Sequence, residues 1–274
     1  MIVDVHTHIF PPRMIEARAE LASADAGFAA LYANPKARMA TAAELIASMD
    51  ASGVDVAVAC GFWWAAPEHA QEHRTYLLEV SARSSGRVVP FVPFAAGEGA
   101  EALDAAVAAG ARGLGEVRAG GDLDAASLEL MRQATVRGLA ILAHCSEDVG
   151  HSYPGKQGGL TPGGLWRLIS ELPGARVIAA HWGGGFPFYA LMPEVRAILD
   201  GGLVAFDTAA TPLLYEPRVF EAGRVLLGAA PVLWGSDFPL RAQAADRAAI
   251  EATVADEAVR ARIMGDDAAR LLGL

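Results

Sequence analysis

The chain has 274 residues, with 22 Lys+Arg against 32 Asp+Glu and a formal charge of −10. That length is ordinary for one eight-stranded α/β barrel, which runs to about 250 residues, so residues 1–274 are read as a single domain. The acidic balance contains no basic run and argues against a nucleic-acid partner, and no apolar stretch reaches the ~20 residues that cross a bilayer. The two cysteines, Cys60 and Cys145, end apolar runs and read as reduced core thiols with no disulfide framework. The chain starts directly on strand residues, without the basic, apolar and cleavage-site succession of a signal peptide, so a cytoplasmic protein is expected.

The first predicted strand, about 2–6, lies in MIVDVHTH and carries Asp4, His6 and His8 at alternate positions. Residues two apart in an extended segment share a side, so both imidazoles can face one ion, while Asp4 either orients a ring or caps the strand. Residues 11–40 read as an extended insertion. The first clear helix is TAAELIASMDASG, where Thr41 and Glu44 have capping-box spacing and Gly53 follows the end. A second strand, 54–60, leads to Phe62-Trp63-Trp64, of which Trp63 is expected to wall a substrate pocket. The helix opening at Pro67 and stopping at Gly86 holds His69 and His73 at i, i+4. It lacks the intervening Glu of a zinc-protease motif, so both are expected on a solvated face.

Strands at 87–93 and 111–116 follow, the latter ending on Glu116. Arg118 has the same strand-face parity and can either pair with Glu116 or grip a substrate carboxylate bidentately. The strand at 139–144 ends on His144. After it, SEDVGHSYPGKQGGLTPGG holds six Gly and two Pro, which marks a long loop over the mouth, with His151 and Lys156 as candidate substrate contacts. A helix then opens with Thr161 as N-cap and Pro162 in its first position, with Gly174 beyond its end. The strand at 176–181 ends on His181, and the glycines of WGGG after it are expected to let backbone approach the metal site. The strand at 203–207 ends on Asp207 and Thr208, expected to support the site, and the last strand, 231–236, precedes Asp237.

Eight continuous apolar strands alternating with helices predict a closed (β/α)8 barrel. All strand C-termini of such a barrel open onto one face, where its active sites are built. His6, His8, Glu116, His144, His181 and Asp237 would then converge there as the donor set of a catalytic divalent metal. A buried carboxylate at Asp237 needs a cation partner in any case.

The motifs DVHTHIF, the fifth-strand His144, AHWGGGFPFY with His181, and WGSDFPL with Asp237 resemble the amidohydrolase superfamily. The resemblance, which spans Met1 to Leu240, is to its amidohydrolase-related branch, which includes aminocarboxymuconate-semialdehyde decarboxylase. It implies a divalent metal, usually zinc, with a metal-bound water; manganese or iron also suit the donors. It implies His6, His8, His144 and Asp237 as ligands, and in one-metal members the counterpart of His181 hydrogen-bonds the water or substrate. Binuclear members place a bridging Glu or carbamylated Lys on the fourth strand. Glu116 therefore either bridges a second ion held by His144 and His181 or pairs with Arg118, so one ion or two are expected.

The leading functional expectation is metal-dependent hydrolysis of a small amide, lactone or ester. Asp237 would take the proton of the attacking water and His181 would stabilise the oxyanion. The second is non-oxidative decarboxylation of a small carboxylated ring-derived substrate on the same scaffold, a choice the fold alone does not make. A barrel that binds ligand without turnover is disfavoured by the complete donor set. The partner is a small molecule, and the sequence leaves room for a homo-oligomer.

Overall fold

In the computed structural model, which describes residues 1–95 and 97–274, eight parallel strands pair in sequence order. They are β1 Val3–His8, β2 Val56–Cys60, β3 Val88–Val92, β4 Gly113–Val117, β5 Ala140–Ala143, β6 Val177–Ala179, β7 Val204–Asp207 and β8 Val232–Leu233. The last strand returns to the first: Val5 N donates to Trp234 O and Asp237 N to His6 O, both at 2.9 Å, and Thr7 bridges Phe238. This is the expected (β/α)8 barrel, with every strand end on one side. The sixth and eighth strands stop short of the predicted ends, so His181 and Asp237 sit in turns just beyond them.

Val5, Val58, Phe91, Leu142, Ile178, Ala205 and Leu233 join one buried cluster, closed by Leu271 and Leu272 of the helix Asp267–Leu272. At β4 the space belongs to Phe91: a Cβ on Gly113 would lie 2.5 Å from its ring. The pairing register shifts between Asp4 and Thr7 on β1 and between Leu114 and Val117 on β4. Such irregularities break the two-residue alternation and re-aim side chains beside a site. Asp4 thus leaves the side occupied by His6 and His8. Its buried carboxylate accepts from Ser236 Oγ (2.6 Å), Gln243 Nε2 (2.8 Å) and Ser236 N (2.9 Å) instead of from an imidazole N–H.

The capping box holds as read. Thr41 Oγ1 accepts from Glu44 N, Glu44 Oε2 accepts from Thr41 N at 2.7 Å, and the helix Ala42–Ser52 ends at Gly53 with φ 64°. Thr161 caps Pro162–Glu171, accepting from Gly164 N at 3.2 Å, and the helix stops at Leu172 before Gly174 is reached. The 11–40 segment differs from the extended insertion expected. It folds into short helices at Pro12–Glu16, Arg18–Ala24 and Ala26–Tyr32. Proline starts the first, and Asp25 caps the third by accepting from Phe28 N (2.9 Å) while its other oxygen accepts from Ala65 N (2.8 Å). Met14, Leu21 and Phe28 bury against Phe10, Phe62 and Trp64. Among the described residues no helix is long and apolar enough to cross a membrane.

His73 is not on a solvated face. It is fully buried; its Nε2 donates to Ile9 O at 2.7 Å, and its Nδ1 accepts from Phe62 N (3.3 Å) and Trp64 Nε1 (3.2 Å). The i, i+4 spacing does not reveal which stripe of the helix Pro67–Arg83 turns to the barrel, and here the His73 stripe does. Burial pushes its pKa down to about 4. Protonating it would set a new N–H against two donors. The folded pKa lies below the unfolded one, so this stability is present above about pH 6.5 and is lost as pH falls toward 4, on the order of 3 kcal/mol in full. Denaturant unfolding at neutral pH and near pH 4.5 is expected to show a smaller acid loss for His73→Gln than for the parent. Equal losses would remove His73 as the cause.

Candidate metal centre

The base of the mouth gathers the expected side chains. His6 and His8 face each other with Nε2 atoms 3.1 Å apart. Glu116 Oε1 lies 3.4 Å from His6 Nε2, and Asp237 Oδ1 lies 3.4 Å from His8 Nε2 and 3.8 Å from His6 Nε2. On the other side His144 Nδ1 approaches Glu116 Oε1 at 2.7 Å and His181 Nε2 at 3.2 Å. His181 and Asp237 both hold left-handed backbone, φ 56° and 62°, which is costly for residues with a Cβ. Hydrogen bonds hold each there: His181 N donates to Asp207 Oδ1 at 2.8 Å, and Asp237 N to His6 O at 2.9 Å.

The outward ring nitrogens decide what the inward ones offer. His6 Nδ1 donates to Asp207 Oδ2 (2.9 Å) and His181 Nδ1 to Ala209 O (3.0 Å), while His144 faces an acceptor at each nitrogen, Gly155 O (2.6 Å) at Nε2 and Glu116 Oε1 (2.7 Å) at Nδ1. A neutral imidazole has one N–H, so His6 and His181 turn a lone pair toward the centre, and His144 can serve only one of its two acceptors. Those lone pairs meet the carboxylates of Glu116 and Asp237, with Arg118 as the nearby cation, its Nε 3.4 Å from Glu116 Oε2. So many acceptors converge only where protons or a cation sit among them.

The pKa directions carry the same imbalance. Burial would lower His6 and His181, but Asp207 and Glu116 outweigh it and raise both. Burial would raise Glu116 and Asp237, yet His144 and Arg118 hold the first, and His8, His6 and His181 the second, below the usual carboxylate range. His144, desolvated and next to Arg118, falls to about 4 and is neutral.

This donor set fits a first-row divalent ion. Ligands about 2.0–2.2 Å from one ion at tetrahedral or octahedral angles stand roughly 3.0–3.5 Å apart. The His6–His8, His6–Glu116 and His8–Asp237 separations of 3.1, 3.4 and 3.4 Å fall in that interval. His6, His8 and Glu116 form one group whose donor atoms all lie within 4.8 Å of one another, and Glu116, His144 and His181 form another. Asp207 supports the site as expected, through His6 and His181.

Above the donors opens a cavity of about 410 Å³ lined by His8, Glu116, His144, His181 and Asp237 at its base and by Tyr32, Phe62, Leu213 and Leu240 on its walls. Arg118 and His151 line it too. Arg118 is already engaged, however, donating to Gln157 O (2.8 Å) and Gly155 O (3.3 Å) of the loop after β5. Three sequence expectations are corrected here. Trp63 does not wall this cavity; it is half-buried against the core and lines a separate depression with Glu98 and Leu130, while Phe62 takes its place. Lys156 turns its Nζ onto Val149 O (2.6 Å), away from any substrate anion. Two glycines of WGGG serve packing rather than the donor cluster: a Cβ on Gly183 would lie 2.9 Å from Phe206 and one on Gly184 2.5 Å from Ser146 O, while one on Gly185 would meet nothing within 4 Å. Tyr32, Arg38, Leu31 and Leu214 line the cavity without having been singled out from the sequence. Only the i, i+4 aromatic pair Phe28 and Tyr32 hinted at a helix there.

A (β/α)8 barrel with histidines and carboxylates gathered at the C-terminal ends of its strands defines a metal-dependent barrel enzyme. A family model described as amidohydrolase matches residues 3–274, and the chain belongs to that family. No functionally curated protein matches the chain. Among solved structures it is similar to 5-carboxyvanillate decarboxylase from Sphingomonas paucimobilis, at 16% identity and TM-score 0.76 over 100% of this chain and 99% of that one. The 5-carboxyvanillate decarboxylase from Novosphingobium aromaticivorans, solved with manganese and 4-hydroxy-3-methoxy-5-nitrobenzoic acid, gives 14% identity and TM-score 0.78 over 100% and 96%. A probable 2-pyrone-4,6-dicarboxylic acid hydrolase from Acinetobacter baumannii, with citric acid bound, gives 14% and 0.65 over 100% and 99%. At these identities the likeness is one of fold.

Proposed function

We propose that residues 1–274 form a single-domain, divalent-metal-dependent decarboxylase of a small carboxylated aromatic compound, which reverses the order in which the sequence ranked its two readings. The observation that carries it is the cluster of inward lone pairs and carboxylates at the floor of a mostly apolar-walled cavity with room for a substituted ring, with an arginine beside it. The decarboxylases of the same fold add support for the substrate class. His6, His8, Glu116 and Asp237 would hold the ion, zinc or manganese, with His144 and His181 beside it. Once bound, the ion supplies Lewis acidity and a positive charge facing the substrate's oxygens.

The chain's own groups do the rest. The cavity walls, Tyr32, Phe62, Leu213 and Leu240 among them, orient the ring. Breaking the ring–carboxylate bond leaves its electron pair on the ring carbon, which must take up one proton as carbon dioxide leaves. Asp237 is ionised when substrate arrives, so it first accepts a proton, from a substrate hydroxyl or a water, and then returns it to that carbon. Hydrolysis remains the second reading, favoured by Glu116 standing among four imidazoles and by the pyrone hydrolase of similar fold. It uses the same first proton transfer.

The test is to load purified protein with zinc or manganese and offer hydroxylated benzoates and carboxyvanillate-type diacids beside lactones. Carbon dioxide release matching loss of the ring carboxyl is expected. Lactone opening without carbon dioxide would overturn the decarboxylase reading in favour of hydrolysis.

A further inference from the structure

Tyr32 ends the helix Ala26–Tyr32 and lines the same cavity as His8, Glu116 and Asp237. Its ring is held by aromatic neighbours, with centroids of Phe10, Phe28 and Phe62 at 5.3, 4.9 and 6.1 Å. Phe28 in turn stacks on Trp64 at 5.0 Å, and Asp25 ties the helix start to the segment after β2. A ring fixed in this way loses little further freedom when its hydroxyl engages a ligand.

The other phenol on the cavity wall, Tyr153, is occupied, donating to Glu147 Oε2 at 2.8 Å. Among the described residues nothing partners the Tyr32 hydroxyl, and it is not one of the buried polar atoms sealed off without a partner. It therefore opens to the cavity. Burial first, and then the charges of Asp237 and Glu116, push its pKa up, which keeps the O–H a donor at any physiological pH. A donor without a protein partner on a mostly apolar wall is the arrangement that discriminates a ligand oxygen from its absence, because the site pays for an unmet polar group.

We propose that Tyr32 is a specificity-determining residue: its hydroxyl donates a hydrogen bond to an oxygen carried on the substrate ring and so selects hydroxylated or alkoxylated aromatic carboxylates over unsubstituted ones. The substrate class rests on the decarboxylase reading; the hydrogen bond itself does not. Tyr32→Phe keeps the ring and its packing and removes only the hydroxyl. Titration calorimetry of the metal-loaded parent and variant, with the nitro analogue 4-hydroxy-3-methoxy-5-nitrobenzoate and with benzoate, under conditions where no carbon dioxide is released, reads binding apart from turnover. The variant is expected to bind the oxygenated ring about tenfold or more weakly, the loss of one hydrogen bond to a buried partner, and to bind benzoate unchanged. In turnover the same selective loss falls on kcat/KM, and an unchanged thermal midpoint confirms the fold. Equal losses for both ligands, or none for either, would overturn the role of Tyr32 even if carbon dioxide is released normally. A parent that decarboxylates no aromatic acid would overturn the reaction reading, while the calorimetric difference would still decide the hydrogen bond.

Discussion

Asp237→Asn is expected to leave the barrel folded and to lower turnover by about 10²–10⁴-fold, the usual cost of losing a proton-transfer group. The amide is isosteric and keeps the backbone contact of residue 237 to His6 O, so the left-handed turn has no reason to relax. It cannot accept a proton, however, and both chemistries open on that step. It also removes one negative donor 3.4 Å from His8, so part of the loss can come through a more weakly held ion. Assaying the variant at saturating metal separates the two: a loss that persists belongs to proton transfer. Turnover within about tenfold of the parent under those conditions would show that Asp237 is not the acceptor.

Glu116→Gln is expected to weaken metal binding by about 10²-fold or more, beyond the 10–100-fold typical of residues that only orient a ligand. The carboxylate is almost wholly buried, 3.4 Å from His6 and 2.7 Å from His144, and its oxygens come within 4 Å of all four imidazoles. Its distances to His6 and His8 suit one ion shared with Asp237. Its 2.7 Å approach to His144 is shorter than two ligands of one ion normally stand and reads as a hydrogen-bond distance. Metal titration of the apo-protein should therefore saturate at one equivalent, with a weaker curve for the Gln variant. A parent that binds two equivalents and a variant that keeps one would assign Glu116 the bridging role and bring hydrolysis back to the front.

The barrel and the convergence of its donors were legible because each donor terminates an apolar run, and parallel strands leave no other place for those ends. What stayed hidden depends on neighbours. The register shifts at Asp4–Thr7 and Leu114–Val117 are properties of strand pairs, so simple alternation put Asp4 on the side of His6 and left Asp207 as a supporting guess. The helices of 11–40 are 5 to 7 residues long, too short for a 3.6-residue period to stand out, and with them Tyr32 was missed. His73 and Trp63 failed for a related cause: composition says that a histidine or tryptophan is present but not which way its backbone turns it. Arg118 was found, yet the loop carbonyls that occupy it lie 37 and 39 residues further on, beyond any local pattern.

The carboxylate of Asp4 joins residues 232 and 239 positions away, and Asp237 meets His6 across the same seam. A ribosome therefore delivers His6 and His8 well before it delivers their carboxylate partner Asp237. At about 5–20 residues per second the emerging polypeptide spends roughly 10–50 s with two imidazoles and no Asp237. Ion capture by the full donor set would in consequence wait for docking of the final strand. A chain stalled or clipped before that strand would lack Asp237 and would hold such an ion more weakly.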